Sequence, residues 1–130
     1  MKVLLYVASA GLALHGLIHL MGFVAYWPLA EIKELPYKTA VLEGRWEVGA
    51  VGMKIYAVLW LVAALSFLIG IGGLLSDQAW WRPVMVGAVV FSTALVALDW
   101  TASFRGAIIN GVILALAVLT YLIPGLVPTR

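Results

Sequence analysis

The sequence contains no cysteine among its 130 residues. This absence excludes disulfide bonds, thiol catalysis, cysteine-ligated iron–sulfur clusters and the Cys-x-x-Cys redox motif within this chain. Charged residues are also scarce, at 11% of the sequence, whereas an average soluble domain has about 25%. The lysines and arginines form no basic stretch, so nucleic acid is not an expected partner.

Hydrophobic residues, in contrast, make up 65% of the chain, and the mean hydropathy is +1.09. They fall into four apolar runs, at about residues 3–29, 49–75, 83–100 and 104–123. Each run is close to the roughly 20 residues that a helix needs to cross a bilayer core of about 30 Å. No run alternates between polar and apolar residues as a strand of a membrane barrel would. The sequence therefore predicts an all-α integral membrane protein, with residues 1–130 forming a single transmembrane domain.

The first run is interpreted as a retained span rather than a signal peptide. Its basic region is a single residue, Lys2, and its apolar stretch continues past residue 25. A secretory signal has an apolar region of about 7–15 residues that is followed by a cleavage site.

Residues 30–48 form an interfacial linker. This linker holds seven of the chain's fourteen charged residues, which places it in water or at the membrane surface. The other connections, around residues 76–83 and 99–105, are short, so consecutive helices are expected to be antiparallel neighbours. The expected architecture is an antiparallel four-helix bundle with both termini on one side. Lysine and arginine are more numerous on the linker side, which favours that side as cytoplasmic.

The ionisable and amide side chains of the spans lie mostly in the half nearest the linker. The far half offers mainly hydroxyl groups, which a helix can satisfy locally. A cavity that opens to the linker side is therefore expected. Residues 44–49 are predicted to form a short interfacial helix or a turn that closes over this cavity or anchors span two. The predicted cavity and lid residues are Tyr26, Arg45, Glu47, Lys54, Trp100 and Arg105.

Two histidines, His15 and His19, interrupt the first apolar run. A spacing of four residues places both on one face of a helix. Ionisable residues inside a membrane are candidates for function because burying them is costly. Histidines at this spacing can chelate one divalent metal ion, and a carboxylate can complete the set. The predicted metal ligands are His15, His19 and Asp99.

Other roles are open for the same pair. One histidine could ligate a haem iron or hydrogen-bond a quinone carbonyl, and the predicted cofactor-binding residues are His15, His19, Tyr56 and Asn110. The pair could also pass protons, with Asp99 or Glu47 next in line. Alternatively, the histidines bond to Asn110 or to backbone carbonyls and hold the bundle together. An HxxxH pattern alone does not decide, and the stronger HExxH metal motif is absent.

Residues 11–23, GLALHGLIHLMGF, resemble the first helix of the DoxX-like family of small bacterial membrane proteins. That helix typically has an apolar run, a His-Gly pair and a Lys-Leu-Phe-Gly-type ending. His19 stands where a lysine is common in the family. The residues that match the pair or lie near the ending are His15, Gly16, Leu20, Gly22 and Phe23.

This resemblance implies a four-helix bundle in the bacterial inner membrane. Some members of the family are subunits of membrane oxidoreductases that act on sulfur compounds and quinone. The first hypothesis is therefore an accessory subunit of a membrane redox complex, with a quinone or haem near His15 and His19. The alternatives are a stand-alone membrane enzyme or metal-binding protein using His15, His19, Asp99 and Asn110, and a proton or small-solute carrier that acts as a homo-oligomer. The expected partners are the lipid bilayer and a larger membrane complex or further copies of the chain.

Overall fold

The computed structural model describes residues 2–123 and 125–127, and most of these residues are helical. All four of its helices are long and apolar enough to cross a membrane. The prediction of an all-helical chain with four helices of transmembrane length is thus confirmed. The helices are α1 (Lys2–Tyr26), α2 (Gly49–Leu75), α3 (Trp81–Leu98) and α4 (Trp100–Leu122).

Proline explains two of the differences between the observed helix ends and the predicted spans. α1 ends at Tyr26, three residues before the predicted end, because Pro28 disfavours helical geometry at the residue that precedes it. α3 begins at Trp81, two residues before the predicted start. Pro83 lies in the first turn of α3, where a helix does not need the missing N–H.

The connection between α3 and α4 is much shorter than predicted. α3 ends at Leu98 and α4 begins at Trp100, four residues before the predicted start. The intervening Asp99 has φ −137° and ψ 50°, which interrupts the helical path. The first turn of a helix has N–H groups without partners inside the helix, so polar residues there are compatible with a helix start. We call residues 98–101 the elbow.

The linker contains an antiparallel hairpin where a short interfacial helix or a turn was predicted. Its strands are β1 (Ala40–Val41) and β2 (Trp46–Glu47), in which Val41 pairs with Trp46. The turn between them places three consecutive residues at positive φ: Leu42 at 53°, Glu43 at 56° and Gly44 at 81°. Glycine adopts this left-handed conformation readily, whereas leucine and glutamate adopt it at a cost.

Consecutive helices pack on each other, α1 on α2, α2 on α3 and α3 on α4. Glycine permits the close approach of α1 to α2. A Cβ atom at Gly16 would lie 2.9 Å from the Cβ of Phe67, and one at Gly22 would lie 2.3 Å from the ring of Trp60. Small residues permit such close approach of helices. Gly11, in the same helix, has nothing within 4 Å of an added Cβ.

Candidate functional site

The two histidines belong to a hydrogen-bonded network that joins α1, α3 and α4. His15 Nε2 lies 2.8 Å from Asn110 Oδ1, and His19 Nε2 lies 2.6 Å from Ser92 Oγ. Asn110 Nδ2 lies 2.8 Å from Ser92 Oγ and 3.1 Å from Thr93 Oγ1. The structure thus brings together His15, His19 and Asn110, three of the four residues predicted to bind a cofactor. We call the five bonded residues the histidine network; they are His15, His19, Ser92, Thr93 and Asn110.

The partners of each nitrogen define the protonation of both rings. His19 Nδ1 lies 2.9 Å from the His15 carbonyl oxygen, which can only accept, so His19 Nδ1–H donates. His19 Nε2 then accepts from the Ser92 hydroxyl. The Asn110 amide donates to Ser92 and Thr93, so its oxygen accepts from His15 Nε2–H. With both rings neutral in these tautomers, the hydrogen bonds form a continuous chain that leaves only His15 Nδ1 without a partner.

The hydrogen bonds of the histidine pair leave one ring nitrogen free to ligate a metal ion or a haem iron. Both ring nitrogens of His19 and Nε2 of His15 are hydrogen-bonded. His15 Nδ1 is buried without a hydrogen-bond partner and is the one ring nitrogen of the pair that keeps a free lone pair. Among residues 2–123 and 125–127, no three His, Cys, Asp or Glu side chains form a group that could hold a metal ion. The predicted set of His15, His19 and Asp99 is therefore not assembled.

Aromatic rings connect the histidine network to the linker end of the bundle. The ring of Trp60 lies 5.4 Å from that of His19 and 6.0 Å from that of Tyr56, between centroids. Tyr56 in turn lies 5.2 Å from Tyr26 at the end of α1. Tyr56 was predicted to act with the histidines, but its hydroxyl donates to the Leu95 carbonyl at 2.7 Å. It is part of this aromatic column rather than of the histidine network.

Asp99 lies at the end of the column and is 1% exposed. One of its carboxylate oxygens accepts a hydrogen bond from the Tyr26 hydroxyl, and the other accepts one from the Lys38 ammonium. A buried carboxylate is stable when it is both paired and hydrogen-bonded. These two partners explain why Asp99 does not join the histidines, since its carboxylate is held at the opposite end of the column.

The turn of the hairpin is attached to the elbow. The Leu42 N–H donates to the Leu98 carbonyl at 2.8 Å, in the last turn of α3. The Thr101 N–H, in the first turn of α4, donates to Glu43 Oε1 at 3.0 Å. Hydrogen bonds from the Thr101 side chain and backbone lower the pKa of the exposed Glu43 carboxyl below its ordinary value. The hairpin therefore supplies partners to both helix ends at the elbow.

A cleft of about 390 Å³ lies beside the elbow. Clefts that bind small molecules usually measure about 300–1,000 Å³. Three carboxylates and one ammonium line this cleft, so its charge is net negative. A cavity at the linker end was expected, but of the predicted cavity and lid residues only Tyr26 lines this one. The polar residues of the lining are Tyr26, Glu34, Lys38, Glu43, Asp99 and Thr101.

Three of the predicted cavity residues lie elsewhere, at the outer surface of the helices. The Lys54 ammonium lies 5.5 Å from the centre of the Trp27 ring, and the Arg105 guanidinium lies 5.7 Å from that of Phe104. Trp100 is 54% exposed. Exposed aromatic and basic side chains at helix ends are typical of the membrane interface.

The predicted lid residues Arg45 and Glu47 do not line the cleft. Both are exposed, and Glu47 Oε1 accepts a hydrogen bond from the Gly49 N–H at 3.1 Å, at the start of α2. Glu43 lies over the cleft instead. The turn between β1 and β2 brings Glu43 to the elbow, and this contact was not predicted.

Sequence reasoning missed Ser92, Lys38 and Glu43 as site residues. Ser92 carries a usable signal, because it and Thr93 are the two hydroxyl-bearing residues of α3. Lys38 and Glu43 carry none beyond their place in the charged linker. The sequence of the linker shows no periodic pattern from which the direction of a side chain can be derived.

No family model matches the sequence, and neither the curated proteins nor the solved structures contain a match. The resemblance to the DoxX-like family stays a prediction that rests on residues 11–23. The candidate site is therefore argued from its own geometry.

Proposed function

We propose that this chain is a multi-pass protein of a bacterial inner (plasma) membrane and that all four helices cross the bilayer. The distribution of polarity supports this proposal. Large apolar side chains such as Leu14, Ile69 and Leu116 are exposed. The polar side chains of the histidine network that are buried and bonded to one another are His15, His19, Ser92 and Asn110. This arrangement is favourable in lipid, because an unpaired polar group in hydrocarbon is costly. The bacterial origin rests on the resemblance of residues 11–23.

We further propose that consecutive helices run antiparallel. In α1 and α2, Gly16 faces Phe67 and Gly22 faces Trp60, so residue numbers fall along α2 in the direction in which they rise along α1. The same pattern relates α3 to α4, where Arg82 Nε donates to Thr120 Oγ1 at 3.2 Å and Ser92 bonds to Asn110. The larger number of basic residues on the linker side supports a cytoplasmic linker.

We infer that the cleft beside Asp99 binds the head group of a quinone-type ligand. The observation that carries this inference is the buried Asp99 carboxylate, held by Tyr26 and Lys38 in the wall of the cleft. A carboxylate can accept a hydrogen bond from a quinol hydroxyl, and the ammonium has further N–H groups for a carbonyl oxygen. Tyr26 and Tyr56 offer aromatic surface next to these groups. The cleft lies at the ends of α1, α3 and α4, where an amphiphile places its polar head.

The proposed role in a redox complex is that of an accessory subunit. This chain has no cysteine, and the ring nitrogens of its histidines serve the network except for His15 Nδ1. The chain would hold the ligand, and a redox group of a larger partner subunit would exchange electrons with it. The ligand site proposed here lies at Asp99 and not at the histidine pair.

The test is binding of a short-chain benzoquinone and of its quinol to the purified protein in mild detergent, measured by equilibrium dialysis. Loss of the Asp99 charge in Asp99→Asn is expected to weaken binding about tenfold or more, the range for hydrogen bonds to charged groups. Asp77→Asn, in the turn at the other end of α2, is the matched control. It is expected to bind as the unaltered protein does.

The double variant His15→Ala/His19→Ala separates the two regions. If the cleft is the site, the folded fraction of this variant keeps its affinity for the ligand. Binding that is lost in the double histidine variant and retained in Asp99→Asn would return the site to the histidines and overturn the proposal.

A further inference from the structure

The hairpin beside the cleft has little stability of its own. Each strand has two residues, and an isolated two-stranded hairpin is marginal in water. The side chains of β2 are exposed, whereas Val41 in β1 is 3% exposed and anchors the hairpin in the core. The hairpin therefore depends on what it contacts.

The left-handed residues of the turn are the same residues that contact the elbow. Leu42 and Glu43 have φ angles of 53° and 56°, and these are the residues that bond to Leu98 and Thr101. Non-glycine residues persist in this conformation when surrounding contacts hold them there. If these contacts broke, the turn could relax to a less strained conformation. Backbone strain therefore opposes the attached state.

The contacts of the hairpin also form part of the cleft. Glu43 lines the cleft and bonds to Thr101, which lines it from α4. Lys38, two residues before β1, pairs with Asp99 across the same space. A hairpin that leaves the elbow would withdraw Glu43 from the cleft and loosen the cover over Asp99.

We propose that the turn of the hairpin, residues 42–45, acts as a latch, attached to the elbow through Leu42 and Glu43, whose release opens the Asp99 cleft. This inference rests on the proposed function in one respect, that the cleft is the binding site. Backbone strain in the turn favours release, and the two hydrogen bonds to the ends of α3 and α4 oppose it.

The latch is tested without any ligand, by measuring hydrogen-exchange protection of the Leu42 and Thr101 amides in detergent at neutral pH. Glu43→Gln replaces a charged acceptor with a neutral one and is expected to lower protection of both amides together, by about fivefold to tenfold. Leu42→Asn relieves the left-handed strain because asparagine tolerates this conformation, and it is expected to raise Thr101 protection about threefold. Glu31→Gln, an exposed carboxylate earlier in the linker, is the matched control and should change neither amide.

Accessibility of Asp99 provides the second measurement. A membrane-permeant carbodiimide labels carboxylates, and mass spectrometry reports the labelled fraction of Asp99. The labelled fraction should rise in Glu43→Gln and fall in Leu42→Asn.

Glu43→Gln could instead lower Thr101 protection alone and leave Leu42 protection and Asp99 labelling unchanged. Glu43 would then only cap the start of α4, and this result would overturn the latch. Should Glu43→Gln fail to fold, Leu42→Asn decides alone, because an unchanged or lowered Thr101 protection there also overturns it. Quinone binding enters none of these measurements, so the latch and the proposed ligand can fail separately.

Discussion

The histidine network and the Asp99 cleft both involve α1, yet they differ in how their polar groups are used. His19 of α1 bonds to Ser92 of α3 in the network, whereas Tyr26 of α1 bonds to Asp99 of the elbow in the cleft. The network consists of neutral groups that bond to one another, and His15 Nδ1 is its one buried polar side-chain atom without a partner. The cleft contains full charges next to open space. Buried polarity alone therefore does not mark a binding site, whereas polar groups that face a cavity do.

Removal of Asn110 should have the largest effect, because this residue bonds to His15, Ser92 and Thr93. Asn110→Ala leaves the buried His15 Nε2–H donor unpaired and removes the donor to the Ser92 and Thr93 hydroxyl oxygens, and it is expected to lower the free energy of unfolding by about 2–3 kcal/mol. Unfolding in mixed micelles measures this loss. Ser66→Ala is the control, since the Ser66 hydroxyl bonds within its own helix to Val62.

The same variant also tests the separation of the two regions. Folded Asn110→Ala should bind quinone as the unaltered protein does. A loss of affinity that exceeds the loss of folded protein would mean that the network and the cleft form one site.

Gly22→Ala should disturb the aromatic column that lies between the two regions. The new methyl group would overlap the ring of Trp60, which packs against both His19 and Tyr56. Overpacking of this kind is expected to cost about 2 kcal/mol of unfolding free energy. Gly11→Ala is the matched control in the same helix, and there the gain in helix propensity should leave stability unchanged or raise it by up to about 1 kcal/mol. Equal effects of the two substitutions would contradict the close contact.

Tyr26→Phe should affect the cleft and spare the network. The Asp99 carboxylate loses one hydrogen bond, which is expected to lower the free energy of unfolding by about 1–2 kcal/mol. Quinone affinity should fall several-fold, because the carboxylate becomes less firmly oriented. Tyr6→Phe, at a position 61% exposed, provides the control. A larger effect in Tyr6→Phe than in Tyr26→Phe would argue against the assigned bond.

Acidification should have the smallest effect, and it should be confined to the hairpin. The pKa of Glu43 is lowered from its ordinary value of 4.5, first by the Thr101 hydrogen bonds and further by Lys38 and Arg45. The stabilisation is therefore fully present above pH 4.5 and is lost as the pH falls through the lowered pKa. Glu34 and Asp99 share the cleft, and their charges also bear on this titration.

The measurement is the protection factor of the Leu42 amide between pH 6 and pH 3, corrected for the intrinsic exchange rate. Protection should fall at the acidic end in the unaltered protein. In Glu43→Gln it should be low and independent of pH across that range. A fall of equal size in both proteins would assign the transition to another carboxyl group.

Several parts of the site were predictable because they follow from helical periodicity. The i,i+4 spacing of His15 and His19 places both on the buried face of α1, and both are at most 5% exposed. Asn110 was correctly paired with this face as a possible bridge between helices, and its bond to His15 was one of the alternatives left open. Regular geometry transmits this information along the chain without knowledge of the neighbours.

The hairpin and the elbow were not predictable in the same way. Nothing in the order of residues 40–47 indicates that Glu43 bonds to Thr101, 58 residues later. By sequence, Asp99 was predicted to act with the histidines. The choice of Tyr26 and Lys38 depends on which side chains the folded linker brings to the end of the bundle.

The sequence by itself determined the all-helical class of this protein, the number of its long apolar helices and the buried face of α1, because hydrophobic content and helical periodicity are local properties. The tertiary structure alone decided that the histidines bond to Asn110 and Ser92, that Asp99 lies apart from them and that Glu43 of the hairpin lines the cleft. These features are contacts between segments far apart in sequence, and the pairing of polar groups depends on which partners packing brings within hydrogen-bond distance.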